Sequence, residues 1–395
     1  MLRKLLSTIA LILFGVGLAL GVLDIGIRIA NRRYPYFYRY DAARGWALNP
    51  GAQGEYTREG RAFLRINRDG FRGPDYPQAK PSGVIRVAVI GDSYVEAMQV
   101  AEDQTFTAVI GRALAGDPVI RGKRIEALNF GIDGYGTAQE LMTLRDEVWA
   151  YKPDIVVLAI FLGNDIRNNS VVLEGDQCRP FYELDGDQLK LTGPFITSRS
   201  YRLWCEARFD YRDLRLFDLF KNAVELAIQG GGTPTAEHPV ERAINYSIYK
   251  PPADRAWQDA WAITEKLIVR ARDETAHHGA MFLAVTEDTG IQVWPDPVAR
   301  ARFEKSLGVA DLLYPDRRIA ALGQREGFAV LALAPPLRTY AAEHHVFLHG
   351  FSNTPQGFGH WNTVGHQEAG TAIAARLSQM IVAGGCPSCG VAHQR

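Results

Sequence analysis

Four short stretches of this 395-residue chain hold residue types that together can perform acyl transfer. Ser93 stands in Gly91-Asp92-Ser93-Tyr94, directly after the β-branched run Val84–Ile90. Gly134 lies in Asn129-Phe130-Gly131-Ile132-Asp133-Gly134-Tyr135-Gly136, and Asn164 in Gly163-Asn164-Asp165, each following a further apolar run. His360 stands in Gly359-His360-Trp361-Asn362, with Gly365-His366 shortly after. A serine hydroxyl attacks an ester carbonyl only if a base takes its proton, and His360 is the candidate base. The tetrahedral oxyanion needs preorganised donors; the Ser93 and Gly134 backbone N–H groups and the Asn164 side-chain amide can supply three. Taken singly these residues are bland: Gly-Asp-Ser and Gly-Asn-Asp are common turns, glycines allow positive φ, and an isolated histidine is more often packed than catalytic. Their order along the chain, each following its own strand, is what points to chemistry.

The elements that must position them follow a regular alternation. Val84–Ile90, Arg124–Phe130, Asp154–Leu162, Ala280–Val285 and Phe328–Leu333 read as short buried strands. Glu102–Ala115, Thr137–Ala150, Asp254–His278, Pro315–Glu326 and roughly Val364–Val382 read as helices between and after them. Continuous apolar strands alternating with helices predict a parallel sheet covered on both faces. In such a sheet ligands bind beyond the carboxyl ends of the strands, where the four stretches fall. Residues 34–83 form an aromatic, turn-rich lead-in, with a hairpin expected over Arg65–Arg72 around Asp69-Gly70. Residues 170–253 interrupt the alternation and read as an insertion or lid within a domain spanning 84–385, leaving 386–395 as a tail.

The blocks GDSY, NFGIDGYG, LGND and HWN followed by GH resemble those of the SGNH/GDSL hydrolases (SGNH esterases) over roughly 84–170 and 340–383. The lead-in INRDGFRG is similar to that of bacterial membrane-anchored members. The resemblance implies a flavodoxin-like three-layer α/β/α fold with a five-stranded parallel sheet. It also implies a Ser93 nucleophile, a His360 base, an oxyanion hole from Ser93, Gly134 and Asn164, and substrates that are acyl or acetyl esters of envelope components. Two other readings stay open: an O-acyltransferase acting on a sugar hydroxyl, and a non-catalytic carbohydrate-binding or scaffold module that retains the fold.

One departure matters. The family usually places an Asp two or three residues before the catalytic histidine, and here Phe358 and Gly357 occupy those positions. Without a carboxylate the imidazole tautomer is not fixed, and in chymotrypsin-type enzymes converting it to an amide costs about 10⁴ in kcat. A backbone carbonyl orienting His360, Glu287 or Asp288 reaching it from after the fourth strand, or a weak or lost site are the alternatives. Asp92 and Asp165 flank the site and can support its hydrogen bonds. His366 is a second candidate base, more readily explained as packing or capping the last helix. His344, His345 and His349 lack Cys or carboxylate partners at ligand spacing and read as loop histidines. No metal and no cofactor is expected.

Composition narrows the setting. Lys and Arg number 44 against 44 Asp and Glu, so no basic excess recommends nucleic acid as a partner. Four cysteines cannot make a disulfide framework for a chain of this size. The apolar run Leu5–Leu23, about 28 Å long as a helix, fits a bilayer. With no convincing cleavage site, it is expected to anchor the protein in the inner membrane rather than be removed as a signal. Arg3 and Lys4 precede the run, whereas Arg28, Arg32, Arg33 and Arg39 follow it, a count favouring a cytoplasmic body. The family resemblance and the cysteine placement favour a periplasmic or otherwise extracytoplasmic one. Cys178 and Cys205 can pair outside the cytoplasm, and Cys386-Pro-Ser-Cys389 is expected to be a small disulfide loop or an inert, exposed tail rather than a zinc half-site.

Overall fold

The computed structural model describes residues 2–30, 36–120, 122–212, 244–384, 386 and 389. Helix α1 (Leu2–Ala30) carries the apolar run, and within it Leu6–Gly26 is long and apolar enough to cross a membrane; apart from Asp24, its residues are exposed. Length and composition suit an anchor or a signal sequence equally.

Two small antiparallel pairs follow, β1 (Tyr38–Asp41) with β2 (Gly45–Leu48) and β3 (Gln53–Tyr56) with β4 (Ala62–Arg65). The expected Asp69-Gly70 turn closes on a single antiparallel bridge, Ile66 to Arg72, rather than a longer hairpin. Then come β5 (Val84–Gly91), α2 (Ser93–Glu96), α3 (Phe106–Ala115), β6 (Arg124–Gly131), α4 (Thr137–Asp146), β7 (Ile155–Phe161) and α5 (Asp165–Asn168). The insertion supplies a hairpin, β8 (Phe181–Asp185) and β9 (Gln188–Thr192), and helices α6 (Pro194–Thr197) and α7 (Arg199–Arg212). The Gly-Gly-Gly of 230–232 lies outside the described residues. The domain resumes with α8 (Arg255–His277), β10 (Met281–Glu287), α9 (Pro297–Leu307), α10 (Tyr314–Glu326), β11 (Ala329–Ala332), α11 (Ala334–His344) and α12 (Thr363–Val382).

The central sheet is five-stranded and wholly parallel, in the order β6-β5-β7-β10-β11. Numbered along the chain this is 2-1-3-4-5, the flavodoxin-like order, whose switch point lies between β5 and β7. Every residue of β5, β7 and β10 is buried, as continuous apolar strands covered on both faces must be. Helices α3 and α12 pack together, as do α4 and α8, giving the three-layer arrangement.

The lead-in is packed onto the domain rather than trailing from it. Phe37, Leu48, Leu64 and Ile66 form a small core with Met98, just past α2. Buried Arg72 donates to the Glu96 carbonyl at 2.9 Å, to that of Val100 at 2.5 Å, and to that of Ala97. The insertion is tied down by a Cys178–Cys205 disulfide, Cα atoms 5.6 Å apart, packed on Phe195. Cys386 and Cys389 also form a disulfide, and both are buried, so this pair is not on an exposed tail. The reason is apolar contact: Cys386 packs into the main core beside the Asp154 carbonyl.

Cys178 and Cys205 are separated by 27 residues, and closing a loop of that size constrains the unfolded chain by about 3–4 kcal/mol. Replacing both with alanine is expected to lower the denaturant midpoint of the detergent-solubilised chain accordingly; an unchanged midpoint would mean that the bridge adds nothing to stability.

Candidate active site

Ser93 opens α2 immediately beyond β5, and the Asp92 carboxylate caps that turn by accepting the Tyr94 N–H at 2.9 Å. His360 lies across from it, with Nε2 at 2.8 Å from Ser93 Oγ. The other ring nitrogen, Nδ1, is 2.5 Å from Glu59 Oε2, and the His360 backbone N–H donates to Glu59 Oε1 at 2.7 Å. A serine, a histidine and a carboxylate are thus joined in line, the arrangement in which an imidazole can take a hydroxyl proton and later return it.

Glu59 belongs to the turn between β3 and β4, 301 residues from its partner. That turn is held against the domain by Asn353, whose Oδ1 accepts the Gly60 N–H at 2.9 Å and whose Nδ2 donates to the carbonyls of Thr57 and Gly60 at 3.1 and 3.2 Å. Gly359 makes the approach possible. It adopts φ +75°, and a Cβ on it would overlap the Glu59 carboxylate. Its carbonyl accepts from Tyr94 Oη at 3.1 Å and lies 2.7 Å from His349 Nδ1, which fixes the peptide leading into His360.

The electrostatics follow. Burial alone would depress the His360 pKa, but the charge and hydrogen bond of Glu59, with Asp133 and Asp92 behind it, more than offset this and bring it to about 9. Burial would raise Glu59, and the His360 imidazolium instead holds it below the ordinary carboxylate range. Because Glu59 accepts from Nδ1–H, a neutral His360 keeps its proton there and leaves Nε2 free for the Ser93 hydroxyl.

The carboxylates expected near His360 from the sequence do other things. Asp288 Oδ1 lies 2.8 Å from His349 Nε2 and accepts the Trp361 Nε1–H at 2.8 Å, so it serves His349 and not His360. Neither carboxyl oxygen of Glu287 has a hydrogen-bond partner, and burial raises its pKa well above the ordinary value. Nor is a backbone carbonyl the orienter, since Nδ1 is taken by Glu59. Asp92 is pushed up to about 6 by burial, opposed by the Tyr94 N–H and His360, and the Asn164 amide stabilises its carboxylate. Ser93 Oγ is also 3.4 Å from Asp92 Oδ2. Asp165 accepts the Phe161 N–H at 3.0 Å and is raised by burial. It supports the turn that presents Asn164, which stands at the first position before α5 without a side-chain capping bond.

Gly134 takes φ +73° in the loop after β6, beside Trp46 and Arg179. His366 stacks on Phe106, its Nδ1 accepts the Phe106 N–H at 3.3 Å, and burial pushes its pKa to about 3; it packs α12 as a neutral ring and is not placed as a base. His344 is the last residue of α11 rather than a loop residue, His345 forms the left-handed turn that follows it, and His349 is buried against Asp288. Among the described residues no three His, Cys, Asp or Glu side chains are arranged to hold a metal ion.

No family model matches the chain, and neither does any curated protein. Solved structures of similar architecture include the acetyl xylan esterase AlAXEase, at 12% identity and TM-score 0.39, covering 74% of this chain and 100% of that one. A G-D-S-L family lipolytic protein from Desulfitobacterium hafniense DCB-2 matches at 7% identity and TM-score 0.33, covering 73% and 98%. A catalytic mutant of an acetylxylan esterase from Geobacillus stearothermophilus matches at 12% and 0.36, covering 74% and 93%. These are likenesses of architecture at low identity; the reading of the site stands on this chain's own residues.

Replacing Glu59 by Gln keeps the shape and removes the charge that holds the His360 proton. Burial is then opposed only by the Asp133 and Asp92 charges, and the His360 pKa is expected to fall clearly from about 9, read by NMR titration of the imidazole. A value still near 9 in the Gln variant would show that another group supplies the field.

Proposed function

We propose that this protein is a membrane-tethered serine esterase of the SGNH type, acting on acetyl or short-acyl esters through a Ser93–His360–Glu59 triad. The observation that carries the reading is the pair of hydrogen bonds made by His360, 2.8 Å to Ser93 Oγ and 2.5 Å to Glu59 Oε2. Ser93 Oγ attacks the ester carbonyl carbon as its proton passes to His360 Nε2. The carbonyl electrons move onto oxygen, toward the Ser93 and Gly134 N–H groups and the Asn164 amide. Collapse of that oxyanion expels the alcohol, which takes the proton from Nε2. Water then attacks the acyl-serine with His360 again as base, releasing the acid and free Ser93. Glu59 fixes the tautomer and stabilises the imidazolium formed in each half. A non-catalytic reading leaned on the missing family carboxylate, and Glu59 removes that support.

A glycan acyl group in the cell envelope suits a body outside the cytoplasm, tethered by α1. Two buried disulfides favour an oxidising compartment over the contrary arginine count. The same acyl-enzyme serves transfer to a sugar hydroxyl as well as hydrolysis, and added methyl glucoside competing with water measures the partition.

The test is fluorophosphonate labelling of the full chain in detergent. Labelling is expected to vanish in Ser93→Ala and to slow about 10²–10⁴-fold in His360→Ala and Glu59→Gln. Since the base acts only when neutral, the wild-type rate should rise with pH toward about 9 and level off above it. In Glu59→Gln the limb moves to lower pH while the plateau drops. A folded protein that is never labelled would sink the esterase reading. Asn164→Ala should cost about 10²–10³ in kcat on an acetyl ester if its amide serves the oxyanion.

A further inference from the structure

Beside Gly134 sits a cation that the triad does not use. Trp46, in β2 of the lead-in, donates its Nε1–H to the Asp133 carbonyl at 2.9 Å, and its ring edge lies 3.5 Å from where a Cβ of Gly134 would be. The Arg179 guanidinium carbon is 4.9 Å above that ring, and its Nη2 is 4.0 Å from the same Cβ position. Arg179 is only 5% exposed, and its Nε and Nη1 are buried without a hydrogen-bond partner.

Among the described residues no carboxylate pairs with Arg179. The two acidic side chains nearest in the field are engaged elsewhere: Glu174 with Arg167 at 3.4 Å and Asp176 with Arg208 at 2.6 Å. The backbone cannot readily move the guanidinium away, because the preceding residue is tied to Cys205 and its N–H donates to Asp176 Oδ1 at 3.0 Å. Stacking on Trp46 stabilises the cation but uses none of its N–H donors. A buried guanidinium with idle donors is costly unless an anion completes it, and the Nη2 end of this one lies beside Gly134, whose N–H is a proposed oxyanion donor.

We infer that Arg179 is a substrate-binding residue: it receives an anionic group, a carboxylate or a phosphate monoester, carried by the ester close to its scissile acyl group. This deepens the esterase reading and rests on it. Esters of uncharged alcohols and acids would then be poor substrates beside acidic ones, and Trp46 would act as a positioning residue, holding the guanidinium flat beside Gly134.

The experiment uses the full chain in detergent carrying Ser93→Ala, so that esters bind without turnover, at one fixed ionic strength. Two matched probe pairs separate the sources of charge: monomethyl succinate against dimethyl succinate for a carboxylate, and 1-acetylglycerol 3-phosphate against 1-monoacetin for a phosphate. The charged member of at least one pair is expected to bind about tenfold tighter or more. Adding Arg179→Gln should abolish that ratio while leaving the neutral member unchanged, and Arg179→Lys should restore part of it. Equal binding of charged and neutral members in the Ser93→Ala protein overturns the inference, whether or not the Arg179 variants fold. So does a preference that survives Arg179→Gln. Wild-type labelling by fluorophosphonate without a charge preference defeats this inference alone; a charge preference without labelling defeats the esterase reading and leaves an anion-binding site.

Discussion

The hydrogen bond between Glu59 and His360 is the constraint on which the candidate site depends. It fixes which nitrogen of the ring faces Ser93, and it determines how readily the ring holds a proton. Everything around it serves the approach of one carboxylate from a distant turn. Asn353 clamps the turn, Gly359 leaves the space a side chain would fill, and Tyr94 and His349 hold the peptide that presents the ring. Asp288, buried behind His349, belongs to the same frame one layer further back.

The site is crowded with carboxyl groups, and burial sorts them. Asp92, Glu140, Asp165 and Glu287 are all raised because a charge there would be stripped of water. Glu59 alone of these five is held low, because two N–H groups of His360 reach it. The crevice therefore keeps its most readily ionised carboxylate of these five at the point where an imidazolium forms, while burial makes the acids behind it harder to ionise.

The lead-in segment changes role in this structure. As sequence it is an aromatic, turn-rich connector between an apolar helix and a domain. Folded, it brings Glu59 to His360 and Trp46 beside Gly134, and Arg72 fastens it to the loop just past α2. A segment continuous with the apolar helix thus completes the site, and the insertion, pinned by its disulfide, brings Arg179 over from the other side.

The alternation of apolar runs and helices was sufficient for the parallel sheet, because burial on both faces leaves continuous apolar runs that need no partner to be read. The position of Ser93 was equally legible, since a serine at a strand end is a local feature. So was the pairing of Ser93 with His360, once both were assigned to the same edge of the sheet. The orienter was not legible. Phe358 and Gly357 announce only that the usual carboxylate is missing, and nothing local to Glu59 distinguishes it from another turn glutamate. Asp288 looked suitable by its place after β10, yet packing turned it toward His349. Arg179, too, reads as one arginine in an insertion. By itself the sequence determined the elements and brought Ser93 and His360 forward as candidates, because these depend on local pattern. Tertiary structure alone decided which acid reaches His360 and which cation, among the described residues, has no carboxylate beside it, because both depend on contacts between segments far apart in the chain.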